Sequence, residues 1–167
     1  PCFFLGAGFM LIETKAITEI AKLYGSTWLV TSIVIATILL MAFLANLLVM
    51  KKIKISFAST YLLLIVSLIF GYYVSTSNFN FTQRDLNNLI LPIILTLPIL
   101  FSGIAFSKEL MKLNSVSQAL SANILGAMFG GFLEYNSMYF GLSSLYILSG
   151  FLYIFAFIFS VQKFRTI

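Results

Sequence analysis

The run WLVTSIVIATILLMAFLANLLVM, from Trp28 to Met50, is almost unbroken hydrocarbon and is followed by Lys51, Lys52 and Lys54. A bilayer core about 30 Å thick is crossed by roughly 20 helical residues rising about 1.5 Å each. The run is long enough, and lysines at its end suit the headgroup layer. Working outward, Phe57 to Ser75 is rich in Leu and Ile and ends in Tyr72 and Tyr73. Leu89 to Phe106 contains Pro92 and Pro98, and Ser143 to Val161 runs out at Gln162 and Lys163. Val116 to Tyr135 holds more Ser, Ala, Gly and Asn, yet carries no charge before Glu134. It reads as a packed membrane helix.

The N-terminal stretch is the difficult one. Residues 2–12 are apolar apart from Gly6 and Gly8, and then Glu13, Lys15, Glu19 and Lys22 arrive. An apolar run that short does not cross a bilayer. Either the helix continues with its charges against protein, or it dips in and leaves along the interface. A full span buried by its neighbours is the favoured reading. The expected fold is therefore all-α, one polytopic transmembrane bundle over 1–167 with about six membrane helices at 3–23, 28–50, 57–75, 89–106, 116–135 and 143–161. Short connections link them, with a polar loop at 76–88, a charged turn at 107–115 and a reversal at 136–142.

Composition agrees. The chain is 60% hydrophobic and 9% charged, against about 25% charged in a typical soluble domain. So few charges cannot cover a water-soluble surface. The net charge of +5 lies between apolar runs and not on a basic face, so it does not suggest nucleic acid. There is no histidine and a single cysteine, Cys2, which excludes Ser-His-Asp chemistry, an internal disulfide and a cysteine-held metal. No catalytic residue, cofactor or metal is assigned. The opening Pro1-Cys2, without a basic leader, predicts a piece of a longer protein.

Lysine and arginine set the orientation. Alternation puts Lys51, Lys52, Lys54, Lys108, Lys112, Lys163 and Arg165 on one side, and Lys22 and Arg84 on the other. That asymmetry predicts that both chain ends are cytoplasmic.

Ionisable groups inside a membrane are costly and mark candidate sites. Glu13 lies deep in the first apolar run. On the helix, Lys15, Glu19 and Lys22 share a stripe at i, i+4 and i, i+3 spacing, while Glu13 points roughly the opposite way. Glu13 therefore needs a partner from another helix, such as Asn46 or a hydroxyl, or a proton. It reads as a proton or cation site or as a polar lock; the Lys15 stripe reads as structural. Asn46 near the end of the second span suits an interhelical hydrogen bond. On the fifth span Ala122, Gly126, Gly130 and Glu134 form a stripe whose GxxxG pair lets two backbones approach. This predicts a central helix with Glu134 as a cap or structural hydrogen bond. Pro92 and Pro98 predict a kinked fourth helix. Trp28, Tyr72, Tyr73, Tyr135, Tyr139 and Tyr146 read as an aromatic belt. Gly6-Ala7-Gly8 starts like a dinucleotide loop, but Leu11 stands where the third glycine belongs. Asn80-Phe81-Thr82 fits a glycosylation sequon, a signal of little specificity.

The segment from Gly6 to Lys15, then Gly25-Ser26-Thr27-Trp28, Ala45-Asn46-Leu47-Leu48 and Gly130-Gly131-Phe132-Leu133-Glu134-Tyr135, is similar to the C-terminal membrane region of large bacterial spermidine-synthase-like multi-pass membrane proteins. The polyamine aminopropyltransferase-like domain of such proteins has a Rossmann-like fold for decarboxylated S-adenosylmethionine. The resemblance covers both ends of the chain and little of 51–115. Its cofactor loop and acidic polyamine pocket have no counterpart here; Glu13, Lys15, Asn46 and Glu134 map onto motif positions. The resemblance implies a membrane module whose partners are the lipid bilayer and other domains of the same full-length protein, without catalysis of its own. The alternative from the residues is half of a transporter-like bundle with a proton or cation site at Glu13.

Overall fold

Gly25 adopts φ +89°, a conformation that a side chain disfavours, and it ends the first helix, α1 (Cys2–Tyr24). Thr27 starts the next by accepting a hydrogen bond from the Val30 amide at 3.3 Å, so α2 (Trp28–Met50) follows with almost no linker. The computed structural model describes residues 1–51, 56–76, 84–112 and 115–165. Its further helices are α3 (Phe57–Thr76), α4 (Arg84–Lys112), α5 (Val116–Glu134), the single turn α6 (Ser137–Phe140) and α7 (Ser144–Arg165). The fold is all-α, with no strand among the described residues. Lys52, Lys54 and the Asn80–Thr82 sequon lie outside the described residues.

Five helices are long and apolar enough to cross a membrane, and only the charges of α1 set this sixth long helix apart from them. The outer faces carry bare hydrocarbon, with Leu39 and Phe43 on α2, Leu62 and Ile69 on α3, Ile124 and Phe132 on α5 all exposed. Such a surface has no place in water. The chain is an integral membrane protein.

The N-terminal helix takes the inside position in spite of its charges, Glu13, Lys15, Glu19 and Lys22. Helix α1 packs against α5, α7, α4 and α2. Leu11, Ile12 and Ala16 are wholly buried there, and so is Lys15. This arrangement corrects the expectation of a central α5, which packs principally on α1 and faces outward elsewhere. The contact itself is as close as the GxxxG pattern requires. A Cβ at Gly126 would strike the Phe3 carbonyl, and one at Gly130 would stand 2.5 Å from the Ala7 carbonyl oxygen. Gly6 answers from α1, where a Cβ would stand 2.9 Å from the Asn123 carbonyl carbon. Phe3 meets Gly126 and Ala7 meets Gly130, so the two helices run in the same direction.

The buried face of α5 differs from the stripe expected. Ala119, Gly126 and Gly130 are buried, while Ala122 and Glu134 are only half-buried. With 3.6 residues per turn, a strict four-residue repeat drifts around the helix. Spacing of alternating four and three residues holds the face, and Ala122 and Glu134 fall off its edge.

Two boundaries also differ. The segment 107–112, expected as a loop, continues α4, and 84–88 begins it. The turn at 107–112 stays helical because Glu109 faces the bundle and Lys112 pairs with it three residues on. The 136–142 reversal contains the turn α6, which Gly141 ends at φ +80°. Pro92 and Pro98 lie inside α4, which runs through both.

A substitution test follows from the α1–α5 contact. Gly126→Leu forces side-chain carbons into the Phe3 backbone and should cost about 3 kcal/mol, the upper part of the usual overpacking range. Gly131→Leu, where a Cβ meets nothing within 4 Å, should cost nothing. Reversible unfolding in mixed detergent micelles reads both; equal small effects contradict the contact.

Candidate functional site

An ammonium group in hydrocarbon needs a counter-charge and hydrogen-bond acceptors. Lys15 is 1% exposed and has both. Its Nζ donates to Glu19 Oε2 one turn on, and to Ser75 Oγ at 2.9 Å near the end of α3. The same Nζ lies 5.5 Å from the centre of the Tyr146 ring on α7, a distance at which a cation is attracted by an aromatic face. Three helices thus meet at one ion pair.

A second polar cluster lies toward the other ends of α3, α4 and α7. Glu109 is buried, and its Oε1 accepts from Ser160 Oγ on α7 and from Lys112 Nζ at 3.4 Å. Lys112 Nζ also lies 3.7 Å from the centre of the Phe57 ring. Lys108 Nζ donates to Thr60 Oγ1 at 2.8 Å, tying α4 to α3. In the core cluster that both flank, Tyr61, Tyr146 and Tyr153 are buried, and the hydroxyls of Tyr61 and Tyr146 have no hydrogen-bond partner among the described residues. Ser102 and Ser149 spend their hydroxyls on their own helices, at Ile99 O and Tyr146 O.

The residues singled out from sequence are not gathered into one site. Lys15 joins the ion pair just described. Asn46 bonds across helices, its Oδ1 accepting from Ser107 Oγ of α4 at 2.7 Å. Asn46 and Ser107 line a cavity of about 170 Å³ between α1, α2, α4 and α5, together with Ser102 and Asn123. Asn46 therefore does not partner Glu13. Glu13 is half-buried and makes no hydrogen bond or ion pair among the described residues. Glu134 likewise makes none; Asn136 Nδ2 caps that end of α5 by donating to Leu133 O at 2.9 Å. Tyr146 leaves the aromatic belt, because it faces α3 and α1 and is buried, whereas Trp28 and Tyr139 are exposed as a belt requires. Among the described residues no three His, Cys, Asp or Glu side chains gather as metal ligands.

Sequence reasoning missed Ser75, Glu109, Ser160 and the buried tyrosines. A signal was present on α7. Tyr146, Ser149, Tyr153 and Ser160 recur at three, four and seven residues, one face of a helix. Glu109 and Ser75 carry no such mark, since their partners are distant in sequence. No protein family, curated protein or solved structure matches this chain.

The Lys15–Glu19 pair makes a quantitative test. Removing one member of a buried pair strands the other and costs about 3 kcal/mol. Lys15→Met and Glu19→Leu should each lose that much in detergent unfolding. The double variant should lose less than the sum, because it strands no charge. Strict additivity would mean that the two groups do not interact.

Proposed function

We propose that this chain is the membrane module of a larger spermidine-synthase-like protein of the bacterial inner membrane. Both chain ends face the cytoplasm, and catalysis belongs to another domain of the same protein. The observation that carries this reading is where the internal charges go. Lys15 is satisfied by Glu19 and Ser75, and Glu109 by Ser160 and Lys112. These groups hold helices to one another and leave no acid–base pair turned toward a reacting molecule among the described residues. The motif resemblance at both ends of the chain supports the family, and the seven-to-two distribution of Lys and Arg supports the orientation.

One observation favours a second reading, half of a transporter-like bundle. The Glu13 carboxylate is half-buried and unpartnered among the described residues, as a proton or cation site would be before loading. Proteoliposomes separate the two. The module reading expects no pH-driven uptake of protons or cations above empty vesicles. Uptake that Glu13→Gln abolishes, in a variant that folds normally, would replace it with the transporter reading.

Orientation is tested with single cysteines on a Cys2→Ser background in intact cells. Ser26→Cys, between α1 and α2, should react with an impermeant maleimide. Lys51→Cys, at the end of α2, should react only after lysis. The reverse pattern would invert the proposed topology.

A further inference from the structure

Helix α5 packs closely on α1 and not on α2 or α4, which leaves a cleft beside it. The cavity of about 170 Å³ lies in that cleft. Its floor is apolar, from Leu5 and Phe9 of α1 and Phe106 of α4. Its rim is polar, with Asn46 of α2, Ser107 of α4 and Asn123 of α5 lining it from three helices. Asn46 is exposed and Asn123 is half-buried, and neither amide is shut away from the surface. Phe43 and Ile124 are exposed on the same two helices, so the molecule that reaches the cleft comes from the membrane.

The hydrogen bonds left open in the cleft define what fits it. Asn46 Oδ1 accepts from Ser107 Oγ at 2.7 Å, and Asn46 Nδ2 has no partner among the described residues. Asn123 Oδ1 lies against α1, 2.9 Å from where a Cβ of Gly6 would stand, and the Asn123 amide makes no hydrogen bond among the described residues. The Ser107 oxygen, having donated its proton, can still accept. The cleft thus offers amide donors beside one hydroxyl acceptor, and no charged side chain lines it among the described residues. A phosphate drawn in would lie without a counter-charge. Depth points the same way. Asn46, Ser107 and Asn123 stand about 6–10 Å along their helices from the ends at Met50, Lys112 and Val116. A helix of 23 residues such as α2 is hardly longer than the roughly 30 Å hydrocarbon core, so the three lie below the headgroups. The space exceeds the roughly 30 Å³ share of a water molecule several times, and it is smaller than the roughly 300–1,000 Å³ of a drug-sized site. It takes a small polar group, not a whole lipid.

We propose that this cleft binds the uncharged glycerol head of a diacylglycerol from the leaflet nearer Lys51, an ester carbonyl accepting from Asn46 Nδ2 and the Asn123 amide and the free hydroxyl donating to Ser107 Oγ. The ligand must be neutral, because the cleft holds no counter-charge. It must both accept and donate, because the cleft presents both kinds of group. It must lie below the phosphates, and a lipid without a phosphate sinks that far while its acyl chains stay in the hydrocarbon outside the mouth. Leu5, Phe9 and Phe106 then cover the carbon side of the glycerol. The bound head gives the two amides the partners that hydrocarbon cannot supply. The inference requires only that the chain spans a bilayer, not the module reading above.

Native mass spectrometry tests this on the chain taken into mild detergent from phosphatidylethanolamine vesicles that contain a minor share of dioleoylglycerol. The parent should retain one dioleoylglycerol, enriched about tenfold over its share of the vesicle. Equal enrichment of phosphatidylethanolamine, or no retained lipid at all, overturns the proposal. Asn46→Leu removes the exposed amide and should lower the retention about tenfold, the scale of one hydrogen bond. Asn46→Gln should restore it in part, and Leu39→Ala on the lipid face of α2 should leave it unchanged. Parent-like retention by a folded Asn46→Leu overturns the site. Dioleoylglycerol capped as its acetate lacks the hydroxyl and should be retained severalfold less; equal retention overturns the bond to Ser107. A measurement on the parent guards against a variant that fails to fold. A diacylglycerol carrying a photoactivatable group next to its ester should label 42–46, 102–107 and 123. Labelling spread evenly over α3 and α7 also overturns the proposal.

Discussion

An ammonium ion at membrane depth costs roughly 2.5 to 3.5 kcal/mol on insertion scales when it faces lipid. Lys15 of α1 escapes that cost by sitting inside the bundle against Glu19, Ser75 and the Tyr146 ring. The other positions follow from this constraint. Helix α1 cannot be peripheral, so α2, α4, α5 and α7 surround it. Their outward faces then carry the hydrocarbon that meets lipid, and α1 needs none of its own. A helix that fails a simple apolarity test thus becomes the inside of the fold.

Surrounding a charged helix also requires close backbones. In lipid, helices gain nothing from excluding water, so association depends on packing and polar contacts. Gly6 on α1 and Gly126 and Gly130 on α5 remove the side chains that would hold the two axes apart. Gly8 does the same toward α7, where a Cβ would stand 2.6 Å from the Tyr153 ring. The glycines and the ion pair act at different depths of α1. Small residues fix its N-terminal half, and Lys15 and Glu19 anchor the half that continues past Gly8.

Much of this architecture is legible in the residues. The second span runs from Trp28 to Met50 in sequence and in structure alike, because lysine after hydrocarbon and threonine before it are local signals. The GxxxG pair is local too, and it identifies a close contact. What it cannot convey is which helix lies inside, since a small-residue face serves an outer helix as well as a central one. The end of α4 was hidden for a related reason. Lys108, Glu109 and Lys112 look like a solvated turn until Ser160, more than fifty residues on, accounts for the buried carboxylate. Of the four polar candidates, Lys15 and Asn46 are brought into defined interhelical bonds, while Glu13 and Glu134 are left half-buried and without a hydrogen bond among the described residues.

The claim that α1 lies between α5 and α7 can be measured in native membranes by thiol cross-linking on a Cys2→Ser background. Phe3 on α1 stands with its ring centre 5.6 Å from that of Phe129 on α5, and Phe4 stands 5.4 Å from Phe159 on α7. Cysteine pairs at 3 and 129, and at 4 and 159, should both be joined in high yield by the shortest bifunctional methanethiosulfonate. Failure of either pair, with both cysteines expressed and reactive toward a lipid-soluble thiol reagent, would take α1 out of the centre and contradict the account.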